Sequence, residues 1–472
     1  MRVVALASAF WLVAACSGPG APPATPAAAK QRRPAPPTDA APAWMRGLQG
    51  ELSALRGLSF TRPVPFSSQT RAQFREKVRG ELTRELPPVK AAGLSRAYAA
   101  LGFVPAEFDL ARALEEAVTS EVLAYYEPET RAFRVIADGP VESSKAATTS
   151  VLSHELVHAL QDQSFDLRRF LADGDPAVDE DQRLARKFVV EGEATFLMMA
   201  HGLARPGAQA QLGNWSVAGL RVWTRMLAAM DLLDVVSTVR LGSDAGTVSA
   251  DERAALNAVA TLPPVVTVPM FEPYFKGAEL VSEVWAAGGW AAVDALYRDP
   301  PESTEQALHP ADKLVARRDR PVRITLGGRA QLPSPAPASE VIGELGWRTY
   351  FKTWHHPEAE QAAAGWGGDR YWSWVVNDHA VTVTATTWDS PADAERFLAA
   401  YETTLASRFP QAVAARWGER GLRLGTSRGP VMAIVRQGSD VDMLQGTTEG
   451  ELESAMRVLT DVRRVRPTER RR

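Results

Sequence analysis

His154-Glu155-Leu156-Val157-His158 constrains this chain more than any other stretch of its 472 residues. Four residues of helix turn the chain by about 400°, so two histidines at that spacing project from one face, a single turn apart. Their ring nitrogens can then hold one divalent ion at the usual zinc–nitrogen distance of about 2.0–2.1 Å. Glu155 lies about 100° round from His154, where a carboxylate can take a proton from water beside the ion instead of binding the ion itself. Leu152, Leu156, Ala159 and Leu160 form an apolar stripe roughly opposite the histidines. The helix should therefore pack into a core on one side and face a cleft on the other. With only 7 histidines in the chain, chance seldom assembles such a motif.

A zinc ion held for chemistry takes three protein ligands and leaves a position for water. The next long helical pattern runs Leu184, Phe188, position 191, Thr195 and Met198 along its apolar stripe, and position 191 is a glutamate. Burying a carboxylate there is costly unless it is paired or bound to metal, which makes Glu191 the expected third ligand. Glu193 projects about 200° away. It is the second candidate, expected to support the ligands from outside or to face solvent.

HExxH followed 33 residues later by Glu191-Gly192-x-Ala194 resembles the gluzincin metallopeptidases. The wider stretch, with His158-Ala159-Leu160-Gln161-Asp162-Gln163 and Pro300-Pro301-Glu302-Ser303-Thr304-Glu305-Gln306-Ala307-Leu308-His309-Pro310, resembles bacterial lipoproteins of the peptidase MA-like group, over roughly residues 121–315. The resemblance implies a mostly helical zincin-like domain with a small β-sheet before the HExxH helix. It also implies one zinc ion per chain on His154, His158 and Glu191, Glu155 as general base, and hydrolysis of peptide bonds. Gluzincins use a later Tyr or His to stabilise the oxyanion, and Tyr274 and His309 are the candidates by chain order. Where thermolysin-type enzymes carry an Asp four residues after the ligand Glu, this chain has Thr195, whose hydroxyl can orient an imidazole without supplying charge. His201, His355, His356 and His379 are read as structural or solvated.

Around this motif the chain reads as α+β. Residues 44–120 show helical periodicity through Met45, Leu48, Leu52 and Leu55, then Phe74, Val78 and Leu82, then Leu110, Leu114 and Val118. A hairpin is expected over 122–136, turning at Glu127-Pro128-Glu129-Thr130, and its edge strand could pair with an extended polypeptide substrate. Helices follow at roughly 144–163, 179–203, 215–238 and 275–297, the last with a glycine stop at Gly288-Gly289, so that residues 121–330 form the expected metallopeptidase domain. A Pro-rich break over Leu332–Pro337 precedes a tryptophan-rich α+β domain at 340–465. Seven of the chain's 13 tryptophans fall between Trp347 and Trp417. At strand spacing they read as core, with a glycan or peptidoglycan platform as the alternative.

At the N-terminus, Met1-Arg2 and an apolar run from Val3 to Ala15 end in Val13-Ala14-Ala15-Cys16, which resembles a bacterial lipobox. Cys16, the only cysteine, is the expected lipidation site, after a signal peptide of residues 1–16. Residues 17–43 read as a Pro/Ala-rich tether and 466–472 as a basic tail. The placement implied is the bacterial cell envelope, anchored by lipid. With 45% hydrophobic and 23% charged residues and a net charge of -3, the folded part buries a large core and exerts no overall pull on nucleic acid. The rival reading is a catalytically inactive, metal-stabilised envelope lipoprotein that binds glycan or protein through its C-terminal domain.

Overall fold

The computed structural model describes residues 42–119, 124–137, 145–172, 175–204, 217–229, 261–330, 332, 338–417, 421–425 and 431–467. Cys16, nearly all of the tether and most of the basic tail lie outside the described residues. Among those described, no helix is long and apolar enough to cross a membrane.

The first half is mainly helical: α1 (Ala43–Arg56), β1 (Phe66–Gln69), α2 (Arg71–Glu85), α3 (Pro88–Leu101), α4 (Leu110–Thr119), β2 (Ala124–Glu127) and β3 (Ala132–Ile136). There follow α5 (Lys145–Phe165), α6 (Leu167–Leu171), α7 (Glu180–Ala204), α8 (Val217–Ala228), α9 (Pro264–Arg298) and α10 (Thr304–Leu308). Local chemistry sets several ends. Thr70 and Gln73 form a capping box at the start of α2, and Gly57, with φ 76°, closes α1 in the left-handed conformation.

Two expectations change here. Residues 44–120 are not purely helical, because β1 pairs in parallel with β3, Phe66 opposite Phe133, giving a sheet ordered β1-β3-β2. Phe-Ser-Ser-Gln has no strong strand pattern of its own; its partner, more than sixty residues on, makes it a strand. Helix α9 starts at Pro264 instead of near 275 and runs through Pro269 and Pro273. Buried Val266, Met270, Phe271 and Pro273 offset the lost backbone hydrogen bonds. The expected glycine stop is present: helical geometry breaks at Gly288 (φ −157°) and Gly289 (φ 65°), and a second helical stretch runs from there to Arg298.

The second half comprises β4 (Arg323–Leu326), β5 (Ala338–Glu340), α11 (Gly343–Thr353), α12 (Ala359–Ala363), β6 (Trp366–Val376), β7 (His379–Trp388) and α13 (Pro391–Arg408). It closes with β8 (Val413–Trp417), β9 (Gly421–Gly425), β10 (Val431–Gln437), β11 (Asp440–Gly446), α14 (Glu449–Leu459) and β12 (Val462–Val465). Seven strands form one antiparallel sheet, β5-β6-β7-β11-β10-β9-β8. Strand alternation divides its side chains: Tyr371, Met432, Ile434 and Met443 pack with Trp347, Phe397 and Tyr401 on one face. Trp372, Trp374, Val383 and Leu444 pack with Leu452 and Val458 of α14 on the other. Trp347, Trp366, Trp372, Trp374 and Trp388 are all buried, so these five tryptophans are core and present no platform. Asp369 accepts the indole N–H groups of Trp347 and Trp366 at 2.9 and 2.7 Å and the backbone N–H of Ile342 at 2.7 Å, tying α11 to β6.

Segments on either side of the expected boundaries pair with one another. Strand β4, inside 121–330, pairs with β12 at the far end of the chain. The end of α3 also joins the second half: Arg408 donates to the carbonyls of Leu101 and Ala100, and Trp354 to that of Gly102.

Candidate metal centre

Helix α5 carries His154, Glu155 and His158; α7 carries Glu191. Where these helices pack, three donor atoms converge. His154 Nε2 lies 3.1 Å from His158 Nε2 and 3.2 Å from Glu191 Oε2, and His158 Nε2 lies 3.4 Å from that same oxygen. A tetrahedral ion with bonds of about 2.0–2.1 Å separates its ligand atoms by about 3.3–3.4 Å, so the three atoms match one face of such a tetrahedron. All three residues are buried. Glu191 Oε1 is buried with no hydrogen-bond partner, a costly state that a bound cation would relieve. Two imidazoles and a carboxylate form a donor set that zinc accepts, so the residues fit the ion the motif implies.

The tautomer of His158 follows from its neighbours. Gln161 Nε2 donates to Val190 O at 3.0 Å and Glu193 Oε2 at 3.1 Å, which leaves Gln161 Oε1 facing His158 Nδ1 at 2.9 Å. Nδ1 must therefore carry the proton, and Nε2 presents its lone pair to the other donors. Glu193 is held in turn by Arg56 of α1 and by the Tyr297 hydroxyl of α9. It is wholly buried, so the solvent-facing alternative for Glu193 is wrong. Its charge is matched by Arg56, which also reaches Asp294 at 2.5 Å. Thr195 contributes nothing comparable: its Oγ1 is buried without a hydrogen-bond partner, so no imbalance at the missing Asp is corrected there.

Burial raises the Glu191 carboxyl, but His158 and hydrogen bonds from both imidazoles outweigh it and hold it below the usual carboxylate range. Burial pulls His154 down. It also pulls on His158, where the Glu191 charge wins and pushes the imidazole up to about 9.

Glu155 is 1% exposed, and its Oε2 accepts the backbone N–H of Tyr126 at 2.9 Å. Strand β2 is the edge of its sheet, and this N–H points away from β3 toward α5. The Tyr126 hydroxyl donates to Asp162 Oδ2 at 2.8 Å, fixing the strand to the same helix.

Gly192, beside Glu191, lets α9 approach α7. A Cβ on Gly192 would sit 2.2 Å from the Gly277 carbonyl carbon, and one on Gly277 would sit 2.5 Å from Phe188 O. This close contact holds α9 so that Tyr274, one turn before Gly277, stacks on His154 with ring centroids 5.5 Å apart and planes 20° apart. His309 has other company. Its Nε2 lies 2.9 Å from Glu344 Oε1 and 3.0 Å from an Arg348 guanidinium nitrogen, at the C-terminal cap of α10. Of the two oxyanion candidates, the fold brings Tyr274 against His154 and commits His309 to Glu344 and Arg348 of α11.

Gln161, Arg56 and Tyr297 were not singled out from sequence. Gln161 carried a signal, since it sits three residues after His158 on the same helical face. Arg56 and Tyr297 carried none, being 137 and 104 residues from Glu193.

No curated protein and no solved structure is significantly similar to the chain. Residues 330–456 match the model of a family described as a domain of unknown function (DUF8575), which spans the seven-stranded sheet and leaves the metal centre outside.

Proposed function

We propose that this protein is a zinc-dependent peptidase with a gluzincin-like catalytic domain, held at the bacterial cell envelope by a lipid on Cys16. The observation that carries the reading is the convergence of His154 Nε2, His158 Nε2 and Glu191 Oε2 at ligand-to-ligand spacing, with Glu155 on the adjoining turn. A zinc ion on these three residues supplies acidification of water and polarisation of the scissile carbonyl. Glu155, oriented by the Tyr126 N–H, takes the proton of the attacking water and returns it to the departing amine. Tyr274, whose ring stacks on His154, is the residue this reading assigns to donate to the developing oxyanion. All four residues of edge strand β2 are buried and its outward Tyr126 N–H is taken by Glu155, so the strand serves to orient that carboxylate and the expected pairing with an extended substrate has no free edge there.

The test is hydrolysis of an unstructured casein-like substrate, with and without a chelator. Glu155→Gln should retain one zinc per chain and lose about 10²–10⁴-fold in turnover. Undiminished hydrolysis by that variant, or purified protein without stoichiometric metal, would sink the reading. Burial favours one rival: His154, Glu155, His158 and Glu191 are each at most 4% exposed, as in a structural metal site. A protein that binds zinc, melts on chelation and cleaves nothing would be that rival. Placement is checked separately, since Cys16→Ala should move the protein from the membrane to the soluble fraction.

A further inference from the structure

Strands β4 and β12 form a two-stranded ribbon whose alternation sorts its side chains. Toward the protein, Ile324 is buried in the core that holds Trp372 and Trp374. Arg464, opposite Ile324 across the ribbon, turns inward to Asp442 and to Asp440 at 3.4 Å. The outer face carries Arg463 across from Thr325 and Val465 across from Arg323, all four exposed, with Val465 at 55%. Exposed Arg329 lies at one end, where its backbone N–H meets Asp461 Oδ2 at 2.8 Å, and exposed Arg466 follows Val465 at the other.

Among the described residues, none of Arg323, Arg329, Arg463 and Arg466 forms an ion pair. Asp461, the carboxylate beside Arg463, already accepts the backbone N–H groups of Arg329 and Ala330 at 2.8 Å each. Asp179, on which Arg323 acts, feels Arg370 and Arg183 more strongly. Arg463 and Arg323 stand on a diagonal of one face, about 7–8 Å apart at the backbone. The face therefore concentrates positive charge, although the whole chain carries a net charge of -3. Its four arginines are strung along the ribbon and do not converge on one point, which suits an extended anionic surface over a single small anion. Val465 decides between such surfaces. An exposed apolar side chain between cations gains from the headgroup–acyl boundary of a bilayer and gains nothing from a phosphodiester backbone.

We propose that the outer face of the β4–β12 ribbon docks on an anionic phospholipid bilayer, with Arg323, Arg329, Arg463 and Arg466 on headgroup phosphates and Val465 at the boundary with the acyl chains. This face belongs to the C-terminal unit and serves whether or not the protein is a peptidase.

Cosedimentation of the full Cys16→Ala chain with vesicles of phosphatidylcholine alone, and with about 30% phosphatidylglycerol added, tests it. The anionic vesicles should hold the chain at least about 100-fold more tightly, and about 0.5 M salt should remove most of that margin. Arg323→Gln/Arg463→Gln should weaken anionic binding about 25-fold, at about fivefold per arginine, with a parent-like melt because both side chains are exposed and unpaired. Val465→Ser should weaken it about threefold. Arg79→Gln/Arg112→Gln, which removes two exposed arginines from α2 and α4, should change it little. Anionic binding that survives Arg323→Gln/Arg463→Gln, or that falls as far in Arg79→Gln/Arg112→Gln, would overturn the proposal. So would a parent chain that ignores anionic vesicles, or one that prefers a DNA duplex to them at the same salt, which would mark a nucleic-acid face instead.

Discussion

Glu191 and Glu193 stand two positions apart on α7, both fully buried, and their environments divide the labour between them. Glu191 faces two imidazoles; Glu193 faces Arg56, Tyr297 and Gln161. Removing the Glu193 charge should loosen the Gln161 amide that sets the His158 tautomer. Glu193→Gln is expected to weaken zinc binding about 10–100-fold, measured by competition with a chromophoric chelator. Arg56→Met strands Glu193 as a buried charge and should cost about 3–5 kcal/mol in denaturant melts, much of it recovered in the Arg56→Met/Glu193→Gln double variant. The pH dependence has a definite sign. With the Glu191 charge holding His158 up at about 9, a proton competes for the nitrogen that would bind the proposed zinc. In metal-free protein that raised imidazole stabilises the fold fully below its unfolded value of about 6.5, and the contribution disappears as pH rises through about 9. Zinc affinity should accordingly tighten between pH 6 and 9, read by the same competition assay, and a flat profile would contradict it.

At the scale of elements, the contact of Gly192 with Gly277 decides where α9 lies beside His154 and Glu191. Gly192→Ala forces backbone atoms apart, so it should cost about 1–3 kcal/mol in thermal stability and lower zinc affinity in the same variant. A parent-like melt and affinity would show that the interhelical contact tolerates more than its geometry suggests. The HExxH helix and the Glu191 helix were legible because both are long, periodic and local in origin. The hairpin was legible through its turn at Glu127–Thr130, and the structure adds that its edge faces Glu155. Strand β1 was not legible, because four residues without alternation become a strand only beside β3. The early start of α9 was hidden by Pro269 and Pro273, whose local penalty is outweighed by tertiary burial.

Over the whole molecule, the chain's two halves are joined by segments far apart in sequence. Strand β4 completes the C-terminal unit through β12, so a fragment beginning at residue 319 should give a more cooperative melt than one beginning at 340. Even the longer fragment exposes the surface that α3 covers through Arg408 and Trp354. By itself the sequence determined the α+β class and the helices that carry His154, His158 and Glu191, because helical periodicity and the cost of a buried carboxylate act over a few neighbouring residues. Only the tertiary structure decided that Arg56 and Tyr297 support Glu193 and that Tyr274, not His309, meets His154. Each of those outcomes depends on which distant elements pack together, and that is settled by burial and close contact across the folded chain.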